Sequence, residues 1–424
     1  MPQPPSIPRR FLQALLVAVF AAFLLLPAFQ KATGIPPRKR LGGITNKIRE
    51  FPQWAPKSWL DGSYARTMDT WIAEQIGIRG WLVNLNRQIR YSCFGQVEGA
   101  PLRKRALVLG KPPVLYENLL MTDALRPPQI PAEQMDNYAF NLARMQRLLR
   151  EQGKAFLVVV APNKALIYTN SLPAWAEGRV SDAHSDYRPF VDALRRHNVP
   201  CLDSMELFRE LAPEYPGLVP AHGIHWGHHG AWVVWQRAIP LLNQQGVLPE
   251  IPVLETVELI EDKPAGMSDE LRGQLNLFAS PYSAPVPCLY PVAAPPPAET
   301  EGMLDVLVVG DSFGFGMVDA LARSRLCRNV YYWFYMQSGK AAHPAAYDSR
   351  EKRGLSSIVS IGAMPSTDEN GRRMLEGKNL VLLVVTTFNI DKFSWGFDRL
   401  VNRLYGNPDD NPPLYQPGEV NLGD

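Results

Sequence analysis

The chain has 424 residues, of which 46% are hydrophobic, enough for a sizeable core in one large domain with insertions or in two to three domains. Its formal net charge of +3 argues against a nucleic-acid footprint. The four cysteines, Cys93, Cys201, Cys288 and Cys327, form no close pair, so no cysteine metal site is indicated, while a disulfide of unknown pairing stays open.

Residues 11–29 are almost wholly apolar, follow Arg9-Arg10, and are long enough to span a bilayer. The stretch after them makes a mediocre cleavage site, so an uncleaved membrane anchor is expected rather than a signal peptide. Lys31 and Arg38-Lys39-Arg40 lie on its far side, so charge alone does not orient it. Residues 44–90 read as largely helical, and residues 106–111 as a short strand and turn.

From there the pattern alternates. A helix is predicted over 138–152, with Leu142, Met145, Leu148 and Leu149 on one face and arginines on the other. A buried strand follows at 156–160 and runs into Pro162-Asn163-Lys164. A second helix at 187–197 leads to a strand at 199–203, and a third helix covers 231–242. Such alternation predicts a parallel sheet covered on both faces. Residues 246–303 are proline-rich and aperiodic, and read as an irregular insertion with a few edge strands. The pattern resumes with a strand at 306–309, an aromatic run at 330–335 that reads as a core strand rather than a sugar platform, and a last strand at 380–385. Beyond Tyr405 the tail is rich in proline and aspartate and is expected to be loose.

Two stretches carry possible chemistry. Asp311-Ser312 sits where the strand at 306–309 turns into a helix. A serine there has its hydroxyl at the carboxyl edge of the sheet, beside free N–H groups that suit a developing oxyanion. The plainer reading is a helix cap. Upstream, His222, His225, His228 and His229 cluster just before the third helix. They read as polar loop residues, as zinc or copper ligands, or as the source of a general base for Ser312.

Taken in order, these blocks resemble the SGNH-hydrolase-like domains of the AlgJ and AlgX alginate O-acetylation family. The matching segments are Arg49-Glu-Phe-Pro52, Ala106 to Lys111, Phe156 to Tyr168 with Leu172-Pro173, His225-Trp226 with Gly230-Ala231, and Gly310-Asp-Ser-Phe313. The resemblance implies an α/β domain over 121–405 with 246–303 inserted. Residues 1–30 would be a cytoplasmic tip and anchor, 31–120 a helical linker, and 406–424 a tail. It also implies an inner-membrane protein with its body in the periplasm. Its activity would be acetyl transfer onto a polysaccharide hydroxyl, with a membrane-bound O-acyltransferase as partner and no cofactor.

In that reading Ser312 is the nucleophile and His225 the base. Asn163, Lys164, Asp311 and Phe313 line the oxyanion and substrate side. One position departs from the pattern: the family's aspartate two residues before the histidine is Gly223, and no acidic residue lies between Tyr215 and Leu248. Asp203 or Asp311 could replace it, or His222 or a backbone carbonyl could orient His225. Otherwise the domain would be a catalytically silent subunit of a polysaccharide synthesis or export complex. A histidine-rich metal-binding protein is the third reading.

Overall fold

A computed structural model describes residues 9–43, 50–97, 106–181, 183–212, 217–263, 266–344 and 358–407. The first eight residues, Arg49 of the Arg49–Pro52 block and the tail beyond 407 lie outside the described residues. The helices in chain order are α1 (Arg9–Thr33), α2 (Pro56–Leu60), α3 (Ser63–Gln75), α4 (Arg79–Phe94), α5 (Asn118–Leu125), α6 (Ala132–Glu151) and α7 (Lys164–Ile167). They continue with α8 (Tyr187–Arg196), α9 (Ser204–Leu211), α10 (His228–Asn243), α11 (Gly314–Ser324), α12 (Asp368–Leu375) and α13 (Phe397–Tyr405). The strands are β1 (Leu107–Leu109), β2 (Leu115–Glu117), β3 (Ala155–Ala161), β4 (Cys201–Asp203), β5 (Thr256–Asp262), β6 (Cys288–Ala293), β7 (Leu304–Gly310), β8 (Cys327–Phe334), β9 (Ser338–Ala342), β10 (Val359–Ala363) and β11 (Leu380–Thr386).

Seven strands form the central sheet in the order β10-β9-β8-β7-β11-β3-β4. The five from β8 to β4 are mutually parallel, and β9 and β10 extend the sheet antiparallel, each to its neighbour. The apolar runs are unbroken because both faces are covered. Phe156, Val158 and Val160 of β3, with Leu307 and Val309 of β7, face one core layer with α6, α8 and α13. Leu157 and Val159, with Val306 and Val308, face the other, against α10 and α11. The aromatic run is β8, with Val330, Tyr332 and Trp333 fully buried. This is a mixed α/β fold with a mostly parallel sheet between helical layers. Among the described residues the inserted segment contributes no strand to that sheet: β5 and β6 pair with each other.

The chain divides into two compact units, Met1–Pro101 with Arg272–Ser283, and Leu102–Leu271 with Ala284–Asp424. The first unit therefore starts and ends elsewhere than the linker expected over 31–120, and it takes residues 272–283 from the insertion. Within it, α1 is bent by 42° between Phe11–Ala22 and Leu24–Thr33. The break falls four residues before Pro27, whose ring presses on the carbonyl one turn back. Among the described residues no single straight helix is long and apolar enough to cross a membrane; the two halves of α1 meet that measure only together. The four cysteines are all free thiols.

Candidate active site

The second unit holds every residue of the candidate site. Strand β7 ends at Gly310, where a Cβ would stand 2.4 Å from the Val384 carbonyl oxygen of the adjacent strand β11. The chain then turns through Asp311-Ser312-Phe313 into α11. The turn is clamped by Asp311. Its Oδ1 accepts the Phe313 N–H at 3.1 Å, and its Oδ2 accepts from the Thr386 N–H (2.9 Å), Thr386 Oγ1 (2.7 Å) and Asn389 Nδ2 (2.9 Å). Asp311 thus ties the serine turn to the end of β11 and has no bond to His225. Ser312 does not cap the helix, because its hydroxyl points elsewhere.

That hydroxyl lies 2.7 Å from Nε2 of His225, and Nδ1 of the same ring lies 2.9 Å from Oε2 of Glu270. Oε2 also accepts the Ile224 N–H at 3.1 Å. A carboxylate oxygen only accepts, so Nδ1 carries the hydrogen and Nε2 is left to receive the Ser312 proton. Serine, histidine and glutamate therefore form one continuous chain of hydrogen bonds. The Phe313 ring sits 4.7 Å from the imidazole, centroid to centroid, and helps fix its plane.

The acid comes from a place the sequence did not advertise. Glu270 belongs to the insertion, on a strap of residues 266–271 that crosses the histidine loop, where the Leu271 N–H donates to the His222 carbonyl at 2.9 Å. Gly223 makes the crossing possible: a Cβ there would stand 2.6 Å from the Met267 carbonyl oxygen. The missing aspartate and the arriving glutamate are thus two sides of one packing solution. Gly223→Asp is accordingly expected to push the strap away and lower turnover, against the simple expectation that restoring the family's aspartate helps. Steady-state kinetics of the variant on a small acetyl ester checks this; a gain in turnover would overturn it.

The other candidates for orienting His225 are occupied. Asp203 caps α9 by accepting the Met205 and Glu206 N–H groups at 3.1 and 3.3 Å, and its Oδ2 accepts the Tyr187 hydroxyl at 2.7 Å. His222 is buried with Nδ1 3.5 Å from Asp269 Oδ1, so it pairs with the strap rather than with His225. Asn163 is corrected as an oxyanion donor. Its Nδ2 donates to the Leu120 carbonyl and to Asp123 Oδ2, both at 3.0 Å, while its Oδ1 caps α7. The Ser312 N–H has no hydrogen-bond partner among the described residues, and it stands at the start of α11.

Lys164 holds the histidine loop rather than the substrate. Fully buried, its Nζ has four carbonyl oxygens within reach of its three hydrogens: Leu115 (2.9 Å), Pro220 (2.7 Å), Ala221 (2.7 Å) and Gly223 (3.0 Å). Burial drives its pKa well below the ordinary lysine value, with nearby Glu270 acting in the opposite direction. The four carbonyls also favour the charged ammonium, since a neutral amine has only two hydrogens to give. Lys164→Met would remove that shared donor; the Pro220 and Ala221 oxygens would keep the Gly223 and Leu115 N–H groups, while the Leu115 and Gly223 oxygens would lose theirs, at a cost of about 1–3 kcal/mol. Denaturant unfolding should show that loss, and an unchanged midpoint would refute the strut.

Two further ties join the histidine loop to α11. Trp226 Nε1 donates to the Phe313 carbonyl at 3.1 Å, and its indole lies against Gly316, where a Cβ would come within 2.3 Å of Nε1. His228 opens α10 and meets Asp319 of α11 at 2.6 Å, and Asp319 also accepts from Arg323 Nε at 2.9 Å. Burial pushes the Asp319 carboxyl up, but His228 and Arg323 outweigh it and hold its pKa below the ordinary value. Burial alone pulls His229 down. Among the described residues no three His, Cys, Asp or Glu side chains converge to hold a metal ion, and His225 and His228 each face a carboxylate.

A mostly parallel α/β sheet with a serine at the turn after a central strand, and a histidine and a carboxylate in line with it, defines an SGNH-hydrolase-like domain. The family described as "SGNH hydrolase-like domain, acetyltransferase AlgX" matches residues 110–321, and the chain belongs to it. Among solved structures, the O-acetyltransferase domain of Pseudomonas putida AlgJ is similar at 18% identity and TM-score 0.43, over 70% of this chain and 99% of that one. Pseudomonas aeruginosa AlgX follows at 13% identity and TM-score 0.42, over 73% and 69%. Bacillus cereus PatB1 has 13% identity and TM-score 0.43, over 67% and 96%. No curated protein matches the sequence.

Proposed function

We propose that this chain is an O-acetyltransferase that moves an acetyl group onto a polysaccharide hydroxyl through Ser312, His225 and Glu270. The single observation carrying the reading is the unbroken line from Ser312 Oγ through the imidazole to Glu270. Ser312 Oγ attacks the acyl carbonyl as its proton passes to His225 Nε2, while Glu270 holds the ring and balances the imidazolium. The oxyanion forms against the Ser312 N–H at the start of α11. His225 then returns the proton to the leaving group, giving an acetyl-serine. In the second half the sugar hydroxyl attacks that ester, His225 takes its proton, and Ser312 recovers it as the new ester leaves.

The apolar α1 supports a membrane anchor, with the second unit on the periplasmic side and a membrane-bound O-acyltransferase partner supplying acetyl groups. The silent-subunit reading rested on Gly223; the contact of Glu270 with the imidazole supports the catalytic reading over it. The test is to incubate the purified chain with an activated acetyl ester and map the product by peptide mass spectrometry. Acetyl on the Ser312 peptide, lost on hydroxylamine treatment, is expected; a chain that never acylates there would refute the mechanism.

A further inference from the structure

The amino-terminal unit has a feature that acyl transfer does not use. The chain leaving α1 is fastened to α3 and α4. Gln30 is buried against Gly77, where a Cβ would meet its Oε1 at 2.0 Å, Arg38 Nη2 donates to the Gln75 carbonyl at 3.0 Å, and Trp81 Nε1 donates to the Pro37 carbonyl at 2.9 Å. Between the end of α1 and α3 lies a cleft of about 800 Å³. Its walls are Pro27, Ala28, Trp71 and Ile72, and its basic residues are Lys31 and Arg38. Close in sequence, Trp54 is 61% exposed, Trp59 62% and Leu60 86%, with Lys57 among them. Over described residues 31–97, nine Lys or Arg stand against four Asp or Glu, a net of 9 − 4 = +5.

We infer that this unit is a lipid-surface module. The cleft takes the headgroup and upper acyl chains of one anionic phospholipid, with Lys31 and Arg38 on its phosphate, while Trp54, Trp59 and Leu60 dip into the interface. The inference rests on the reading of α1 as an anchor. If α1 spans the bilayer, the fastening at Gln30, Pro37 and Arg38 keeps α3 and α4 at its surface. Tryptophans favour that depth, with their rings among the acyl chains and their N–H groups towards water. The basic excess matches an anionic leaflet, and each Lys or Arg near it adds attraction. A soluble protein partner would leave the continuity between the apolar α1 and this basic, aromatic unit unexplained.

The experiment uses the full chain in nanodiscs of phosphatidylcholine, with and without phosphatidylglycerol, carrying brominated acyl chains that quench nearby tryptophan. Quenching is expected, and the double variant W54F/W59F should lose the share of those two rings, leaving that of Trp71 in the cleft. In native mass spectrometry, the Lys31→Glu, Arg38→Glu variant should retain fewer phosphatidylglycerol molecules than the parent chain. A chain that inserts into the discs but shows the same quenching with and without Trp54 and Trp59, or equal lipid retention in the charge-reversed variant, overturns the module and leaves the anchor standing. A chain that does not stay with the discs at all sinks both. Tryptophan protection that appears only when another membrane protein is added also overturns it, in favour of a protein partner.

Discussion

Ser312→Ala is expected to abolish acetyl transfer, with turnover falling by about 10⁶-fold, the scale seen when the nucleophile of a serine triad is removed. The residue is partly exposed and, among the described residues, its hydroxyl bonds to His225 alone, so the variant should keep its fold and its unfolding midpoint. His225→Ala should cost nearly as much, and the double variant little more, because the pair acts as one unit. The decisive measurement is the acetyl content of the exopolysaccharide in cells carrying only the Ser312→Ala chain. Unchanged acetylation would sink the transferase reading, whereas loss of export with normal acetylation would return the chain to a structural role.

The second large effect belongs to Glu270. Both the His225 Nδ1–H and the Ile224 N–H converge on its Oε2, so one oxygen fixes the tautomer, the ring angle and the loop. Glu270→Gln removes the negative charge that balances the imidazolium and allows an N–H to face Nδ1, which would drive the ring into the unproductive tautomer. Turnover is expected to fall about 10⁴-fold, as when the triad carboxylate of a serine protease becomes an amide. The KM should stay within a few-fold, since Glu270 reaches the substrate only through His225. A variant with near-normal turnover would mean that the carboxylate is only a loop tie.

Most of the architecture was legible because both faces of the central strands are covered. Unbroken apolar runs at 156–160, 306–309 and 380–385 became β3, β7 and β11, side by side in the sheet. Ser312 and His225 were legible as types of residue next to element ends, and the structure brings them together. Glu270 was not. It stands 45 residues beyond His225, in a segment without periodicity, and only the folded crossing at Gly223 puts it on the imidazole. Lys164 and Asn163 were legible as a motif but not by role. Their side chains point into the body of the domain, and nothing in Pro-Asn-Lys says that four carbonyls converge on the ammonium. Asp203 looked available because it ends a strand; the helix it caps begins one residue later.

The crossing at Gly223 also constrains how such a site can change over time. A chain with the acid beside the histidine and a chain with the acid on the strap are both complete, but they are not one step apart. Adding a side chain at residue 223 collides with the Met267 carbonyl before the new acid can serve, and losing Glu270 first leaves the imidazole unsupported. Each single change passes through a form without a working acid. Laboratory selection starting from Gly223→Asp should therefore recover activity through deletions or substitutions in residues 266–271, and the lineage, once on either side, is held there by its own packing.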